Sequence, residues 1–273
     1  MEFVNYCGKC YPSDSPIVPV GSRGLKYGDG IFETTLFSSG KPVFWQEHMN
    51  RLQEGIETLK ISDSTDFSAN HLLKDILELA EKNKATNAIV RIQIFRGAGR
   101  LSQNSSAVYM IEMHAYSDVI EKESLSLTIY RDAIKTYDKF SHLKHCNYLP
   151  YVMGALYARE KGFDEALIKN AQDKICDSTR ANIFIIKENE IYTPSLNEGC
   201  IAGIFRTLLI KQLPALGFNI NELPIEESFL MNADEIFMTN SVRGIMPVGS
   251  IDGKSFKTDI TQKIAEAFSI KNF

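Results

Sequence analysis

Arg23-Gly-Leu-Lys-Tyr-Gly-Asp-Gly-Ile-Phe-Glu33 is the first of several short segments whose joint order organises the reading of this chain. The others are His48-Met-Asn-Arg51, Lys144-His-Cys-Asn147, Asp177-Ser-Thr-Arg-Ala-Asn182, Gly203-Ile-Phe-Arg206 and Thr239-Asn-Ser241. Downstream of the glycines, Phe32 to Phe37 and Lys41 to Trp45 flank Ser38-Ser-Gly40, the pattern of a β-hairpin. Met49, Leu52, Ile56 and Leu59 recur at the spacing of one helical face, which predicts a helix from Glu47 to Leu59, and His71 to Glu81 reads the same way. Ala88 to Phe95 is rich in β-branched residues and predicts a strand, with Arg91 and Gln93 on one face.

Between Tyr116 and Ser124 the pattern breaks into a polar run, the expected domain junction. A second unit follows. A helix is expected from Tyr148 to Lys161 with its stop at Gly162, and strands at Ala166 to Lys169 and Asn182 to Ile186. A helix over Ile201 to Leu213, a strand over Glu235 to Thr239 and a last helix over Asp259 to Phe268 complete the pass. The expected fold class is α/β (α+β) in two domains, 1–116 and 117–273, which suits a length of 273 residues.

The composition, 44% hydrophobic and 23% charged, is that of an ordinary soluble globular protein. A net charge of −4 provides no positive field for a polyanion, so nucleic acid is not expected as a partner. No run approaches the ~18 apolar residues of a membrane helix, and Met1-Glu-Phe-Val-Asn-Tyr-Cys7 does not read as a signal peptide; a cytoplasmic protein is expected. The five cysteines fit reduced thiols. Cys7-Gly-Lys-Cys10 lacks the second ligand pair of a structural zinc site and reads as a turn between two short strands, so no metal is expected.

Each chemistry-bearing residue has two readings. Lys144 is either part of a solvated basic loop or a nucleophilic amine. Arg51 either pairs with Glu47 one helical turn earlier or turns inward to clamp a phosphate. Gly203 opens a helix whose first amides, Ile204 and Phe205, can meet an anion, or it is an ordinary loop residue. Ser241 ends a strand, adding a hydroxyl to that anion or capping a turn, and Asp177 is a turn residue or the counter-ion of a ring nitrogen. An amine, a carboxylate and two anion cradles together are the parts needed to hold pyridoxal 5′-phosphate.

These residues resemble the class IV, or fold type IV, pyridoxal-phosphate enzymes: branched-chain aminotransferases, D-amino acid aminotransferases and aminodeoxychorismate lyases. The similarity runs from about Arg23 to Val248 and includes Tyr27-Gly-Asp-Gly-Ile-Phe-Glu33, His48-x-x-Arg51, Arg96-Gly97, Ala233-Asp-Glu-Ile-Phe237 and Pro247-Val248. The resemblance implies that Lys144 forms the internal aldimine and moves the proton between Cα and C4′. It assigns Arg51, Ile204, Phe205 and Ser241 to the phosphate, Asp177 to the ring nitrogen, and Tyr27, Phe32, Arg91 and Arg100 to the substrate. It further implies a two-domain homodimer with the cofactor in the interdomain cleft. The family usually has glutamate where this chain has Asp177, and threonine or methionine where it has Phe205. The activity expected is amino transfer between an amino acid and a 2-keto acid. Aminodeoxychorismate lyase, which expels pyruvate to give 4-aminobenzoate, is the alternative, and a non-catalytic cofactor-binding protein a remote one.

Overall fold

The structure, a computed structural model, describes residues 1–61, 67–103, 105–116 and 122–270. The chain divides into two units, Met1–Val119 with Lys144–Asn147, and Ile120–Leu143 with Tyr148–Phe273. Residues 117–121 of the expected junction lie outside the described residues.

The first unit contains β1 (Phe3–Tyr6), β2 (Lys9–Pro12), α1 (Arg23–Tyr27), β3 (Gly30–Ser38), β4 (Lys41–Pro42), α2 (Trp45–Thr58), α3 (Ala69–Asn83), β5 (Ala88–Arg96) and β6 (Ala107–Ala115). The strands form one antiparallel sheet in the order β2-β1-β6-β5-β3-β4. Ile31 and Phe37 of β3 share a core with Ile92 and Ile94 of β5, with Met49, Leu52 and Ile56 of α2, and with Leu72, Ile76 and Leu79 of α3. Leu72, Ile76 and Leu79 are fully buried, so truncating any one to alanine costs roughly 2–5 kcal/mol. The opposite sheet face carries Phe32 and Thr34 beside their register partners Gln93 and Arg91. Cys7 and Gly8, with φ of 48° and 81°, make the tight turn between β1 and β2.

The second unit contains β7 (Leu125–Lys135), α4 (Leu149–Lys161), β8 (Glu165–Asn170), β9 (Ile175–Ser178), β10 (Asn182–Lys187), β11 (Glu190–Pro194), α5 (Ile204–Gln212), β12 (Ile220–Leu223), α6 (Glu227–Met231), β13 (Glu235–Asn240), β14 (Gly244–Ile251), β15 (Lys254–Ser255) and α7 (Asp259–Ala267). Its mixed sheet runs β12-β11-β10-β13-β14-β7-β8-β9, with β15 on β14. Helix α4 ends on Gly162 in the left-handed conformation, φ 79°. Tyr151, Gly154 and Ala158 form the buried face of α4, and a Cβ on Gly154 would stand 2.7 Å from Ile168 of β8.

The helix expected from Ile201 begins only at Ile204. The Ile201 carbonyl accepts from Asn182 Nδ2, the Ala202 amide donates to the carbonyl of His142 in the loop after β7, and Gly203 stays extended, so these bonds hold the three residues out of the helix. At its far end Pro214 turns the chain into a short 3₁₀ segment, Leu213–Leu216.

Candidate active site

Lys144 sits in the first unit, where its flanks bridge antiparallel to β3 at Ile31 and His145. The Phe32 amide donates to the Lys144 carbonyl and the Cys146 amide to the Gly30 carbonyl, both at 2.9 Å. Asn147 closes this segment by donating from Nδ2 to the Gly28 carbonyl at 3.3 Å. Gly28 has φ 63°, and a Cβ there would fall 2.7 Å from Asn147 Oδ1, so the glycine is required. The half-buried Lys144 side chain places Nζ 4.4 Å from the Phe32 ring centroid, while the Arg91 guanidinium lies 3.8 Å from the same centroid. Arg91 also faces Glu112 at 3.6 Å, which compensates part of its charge.

The glycine-rich segment before β3 is a scaffold. Asp29 binds Arg23 at 2.7 Å and Arg96 at 3.0 Å, and Arg96 donates to the carbonyls of Leu59 and Lys60, both at 2.6 Å. Tyr27 ends α1 and is 43% exposed. Arg100 is exposed in the loop after β5, where its amide donates to Gln103 Oε1 and its carbonyl accepts from Arg23.

Arg51 does turn inward, and its partner is Glu33 rather than Glu47. Nε and NH2 donate to the two Glu33 oxygens at 2.7 and 2.6 Å, and His48 Nδ1 lies 2.6 Å from Oε2. Burial pushes the Glu33 carboxyl up, but Arg51 and His48 outweigh that and bring it down to about 2. Burial pushes the His48 imidazole down, against the pull of Glu33. Glu33 and His48 drew no role in the sequence reading. The available signal was the i, i+3 spacing of His48 and Arg51, which puts both on one helical face.

In the second unit Asp177 is buried on β9 and accepts four hydrogen bonds from the described residues. Lys135 Nζ (3.3 Å), Tyr151 Oη (3.0 Å) and the Ile201 amide (2.9 Å) donate to Oδ2, and Asn182 Nδ2 (2.8 Å) to Oδ1. Asn182 is the hub of this region. It binds Asp177 and the Ile201 carbonyl, pairs in register with Thr239, and crowds Gly203, where a Cβ would come within 1.9 Å of Asn182 Oδ1. Ile204 and Phe205 are the first two residues of α5, after Gly203 at its N-cap. The Phe205 side chain is fully buried, and its ring tip lies 3.8 Å from a Cβ position at Gly244. Ser241 follows β13 in a turn, and the buried Thr239 hydroxyl beside Asn182 has no hydrogen-bond partner among the described residues. Sequence reasoning missed Lys135, Tyr151 and Asn182; only the last lay inside a motif it had singled out.

Each unit by itself carries groups of the kind an anionic aromatic cofactor uses: in the first, an amine held against an aromatic ring; in the second, a buried carboxylate and a helix N-terminus whose N-cap admits no side chain. The amino-transferase class IV profile matches residues 30–251, most of the chain, and the chain belongs to that family of pyridoxal-phosphate enzymes. It is similar to the aminodeoxychorismate lyase of Vibrio harveyi, 26% identical over 254 residues, covering 89% of this chain and 90% of that one. It is also similar to the branched-chain-amino-acid aminotransferase of Escherichia coli K12, 26% identical over 285 residues, covering 98% and 92%. Among solved structures, the branched-chain aminotransferase from Thermoproteus uzoniensis with norvaline matches at TM-score 0.87 and 26% identity, over 97% of this chain and 92% of that one. The chain is therefore an α/β enzyme of fold type IV. No helix among the described residues is long and apolar enough to cross a membrane.

Proposed function

We propose that the enzyme moves an amino group between an amino acid and a 2-keto acid, with Lys144 as the amine that bonds pyridoxal 5′-phosphate. The observation that carries this reading is the clamped Lys144 segment, which fixes one amine over Phe32 in a chain of this family. When bound, the cofactor supplies an aldehyde for amines and a ring that accepts the electron pair left at the substrate Cα.

Lys144 Nζ takes and holds the Cα proton. Asp177 carries the negative charge for the ring nitrogen, and the amides of Ile204 and Phe205 with the Ser241 hydroxyl donate to the phosphate. Arg51 offers positive charge for the phosphate while Glu33 and His48 hold its guanidinium. Arg91 and Arg100 meet the substrate carboxylate, and Tyr27 and Phe32 bound the substrate.

The working form is a homodimer in the cytoplasm. Support for the dimer comes from α4, where Leu149, Val152, Met153 and Leu156 are 68, 48, 41 and 45% exposed at one-face spacing. Support for a reducing compartment comes from five free thiols.

The test is a single half-reaction. Mixing the holoenzyme with L- and D-amino acids, with no acceptor, should convert the absorbance of the Lys144-bound cofactor into that of pyridoxamine phosphate. Keto acid should then restore it, with ping-pong kinetics. If no amino acid bleaches the spectrum while aminodeoxychorismate yields pyruvate and 4-aminobenzoate, the enzyme is a lyase.

A further inference from the structure

Strand β7 ends in an inversion of the usual burial order. Ile134 is 60% exposed, whereas the next residue, Lys135, is 5% exposed. The cause is a break in register against β8: Tyr130 pairs with Ile168, but Ile134 pairs with Lys169 and Lys135 with Asn170. This bulge returns Lys135 to the sheet face shared by Ile168, Asp177 and Tyr151. There Nζ lies 3.3 Å from Asp177 Oδ2 and 5.1 Å from the Tyr151 ring centroid. A fold that exposes an isoleucine to bury a lysine holds that cation for its partner, since an ammonium is buried at high cost unless paired.

We propose that Lys135 is a positioning residue that sets the charge Asp177 presents to the ring nitrogen of the cofactor. It rests on the reading of Asp177 as that nitrogen's counter-ion. Asp177 commits its Oδ2 to Lys135, Tyr151 and the Ile201 amide. Only Oδ1, which has Asn182 as its one partner among the described residues, keeps an acceptor site in hand. The phenol and thiols nearest the pair stay protonated and neutral, while Glu198, bonded to the Lys135 register partner Asn170, and Arg206 are the charged groups beyond them. Burial, with Asp177 adding to it, pushes Tyr151 of α4 and Cys176 of β9 well up, and Cys200 to about 12. Lys135 thus offsets the carboxylate, and the ring nitrogen meets a weaker negative field than a lone carboxylate would give. The pair tunes how tightly the ring nitrogen holds its proton.

The experiment is a pH titration of the ring-nitrogen chemical shift in holoenzyme loaded with ¹⁵N-labelled pyridoxal phosphate. Lys135→Met and Lys135→Gln should raise the apparent pKa of the nitrogen by about one unit, a tenfold shift in its protonation. Lys135→Arg keeps the charge and should titrate like wild type, while Asp177→Asn should lower the value. If Met and Gln titrate like wild type while Asp177→Asn moves the signal, the role of Lys135 is overturned and that of Asp177 stands. If Asp177→Asn leaves the titration unmoved, the counter-ion reading itself fails. Should Met fail to fold, Gln against Arg decides, and identical titrations for those two overturn the proposal.

Discussion

Glu33 and Arg51, eighteen residues apart, meet in a two-point ion pair with hydrogen bonds of 2.7 and 2.6 Å. Because folding lowers the Glu33 carboxyl from 4.5 to about 2, its contribution is fully present above pH 4.5 and is lost as pH falls toward 2. The shift corresponds to about 3 kcal/mol. His48, also pushed down, adds acid sensitivity that begins below its unfolded value of 6.5. Denaturant melts at pH 7, 5, 4 and 3 should show stability falling along that course. Glu33→Gln should lose roughly 3 kcal/mol at pH 7, as breaking a buried pair does, and flatten the acid limb. An unchanged acid limb in that variant would show that Glu33 is not its source.

Gly203→Ala forces a Cβ against Asn182 Oδ1, where the separation would be 1.9 Å. Either Asn182 leaves Asp177 or the start of α5 shifts, and both spoil the proposed cradle. Cofactor dissociation constants measured by absorbance should rise at least ~10-fold, a loss of about 1.4 kcal/mol. Wild-type affinity would separate Gly203 from cofactor binding.

Arg91→Ala removes a guanidinium that the structure stacks on Phe32. KM for substrates should rise by about tenfold while the spectrum of the bound cofactor is kept, the pattern of lost uniform binding. Loss of the cofactor itself would mark Arg91 as structural.

The apolar stripe on α4 predicts that Leu149→Lys with Leu156→Lys, both exposed positions, shifts the protein from dimer to monomer in sedimentation. A wild-type protein that sediments as a monomer at micromolar concentration would contradict the dimer.

Much of the fold was legible because its signals are local. The helical spacing of Met49, Leu52 and Ile56, the β-branched run at Ala88 and the stop at Gly162 all depend on neighbouring residues, and all appear as read. The second sheet was harder. β9 is four residues long, fully buried, and carries Asp177 in a place that reads as a turn, while β7 ends on a buried lysine. Site partners were invisible for a related reason. The contact of Arg51 with Glu33 depends on which sheet face β3 turns toward α2, and that of Lys135 with Asp177 on a bulge. The Glu47–Arg51 spacing offered a local pair that the tertiary structure did not use.

The most direct measurement is borohydride reduction of the holoenzyme followed by peptide mapping. Reduction makes the bond between lysine and cofactor permanent, so the label reports which amine held it. The account predicts phosphopyridoxyl on the peptide containing Lys144, and no label after Lys144→Ala. Label on Lys135 or Lys139 in the wild-type enzyme, or none at all in protein that has bound the cofactor, would contradict it.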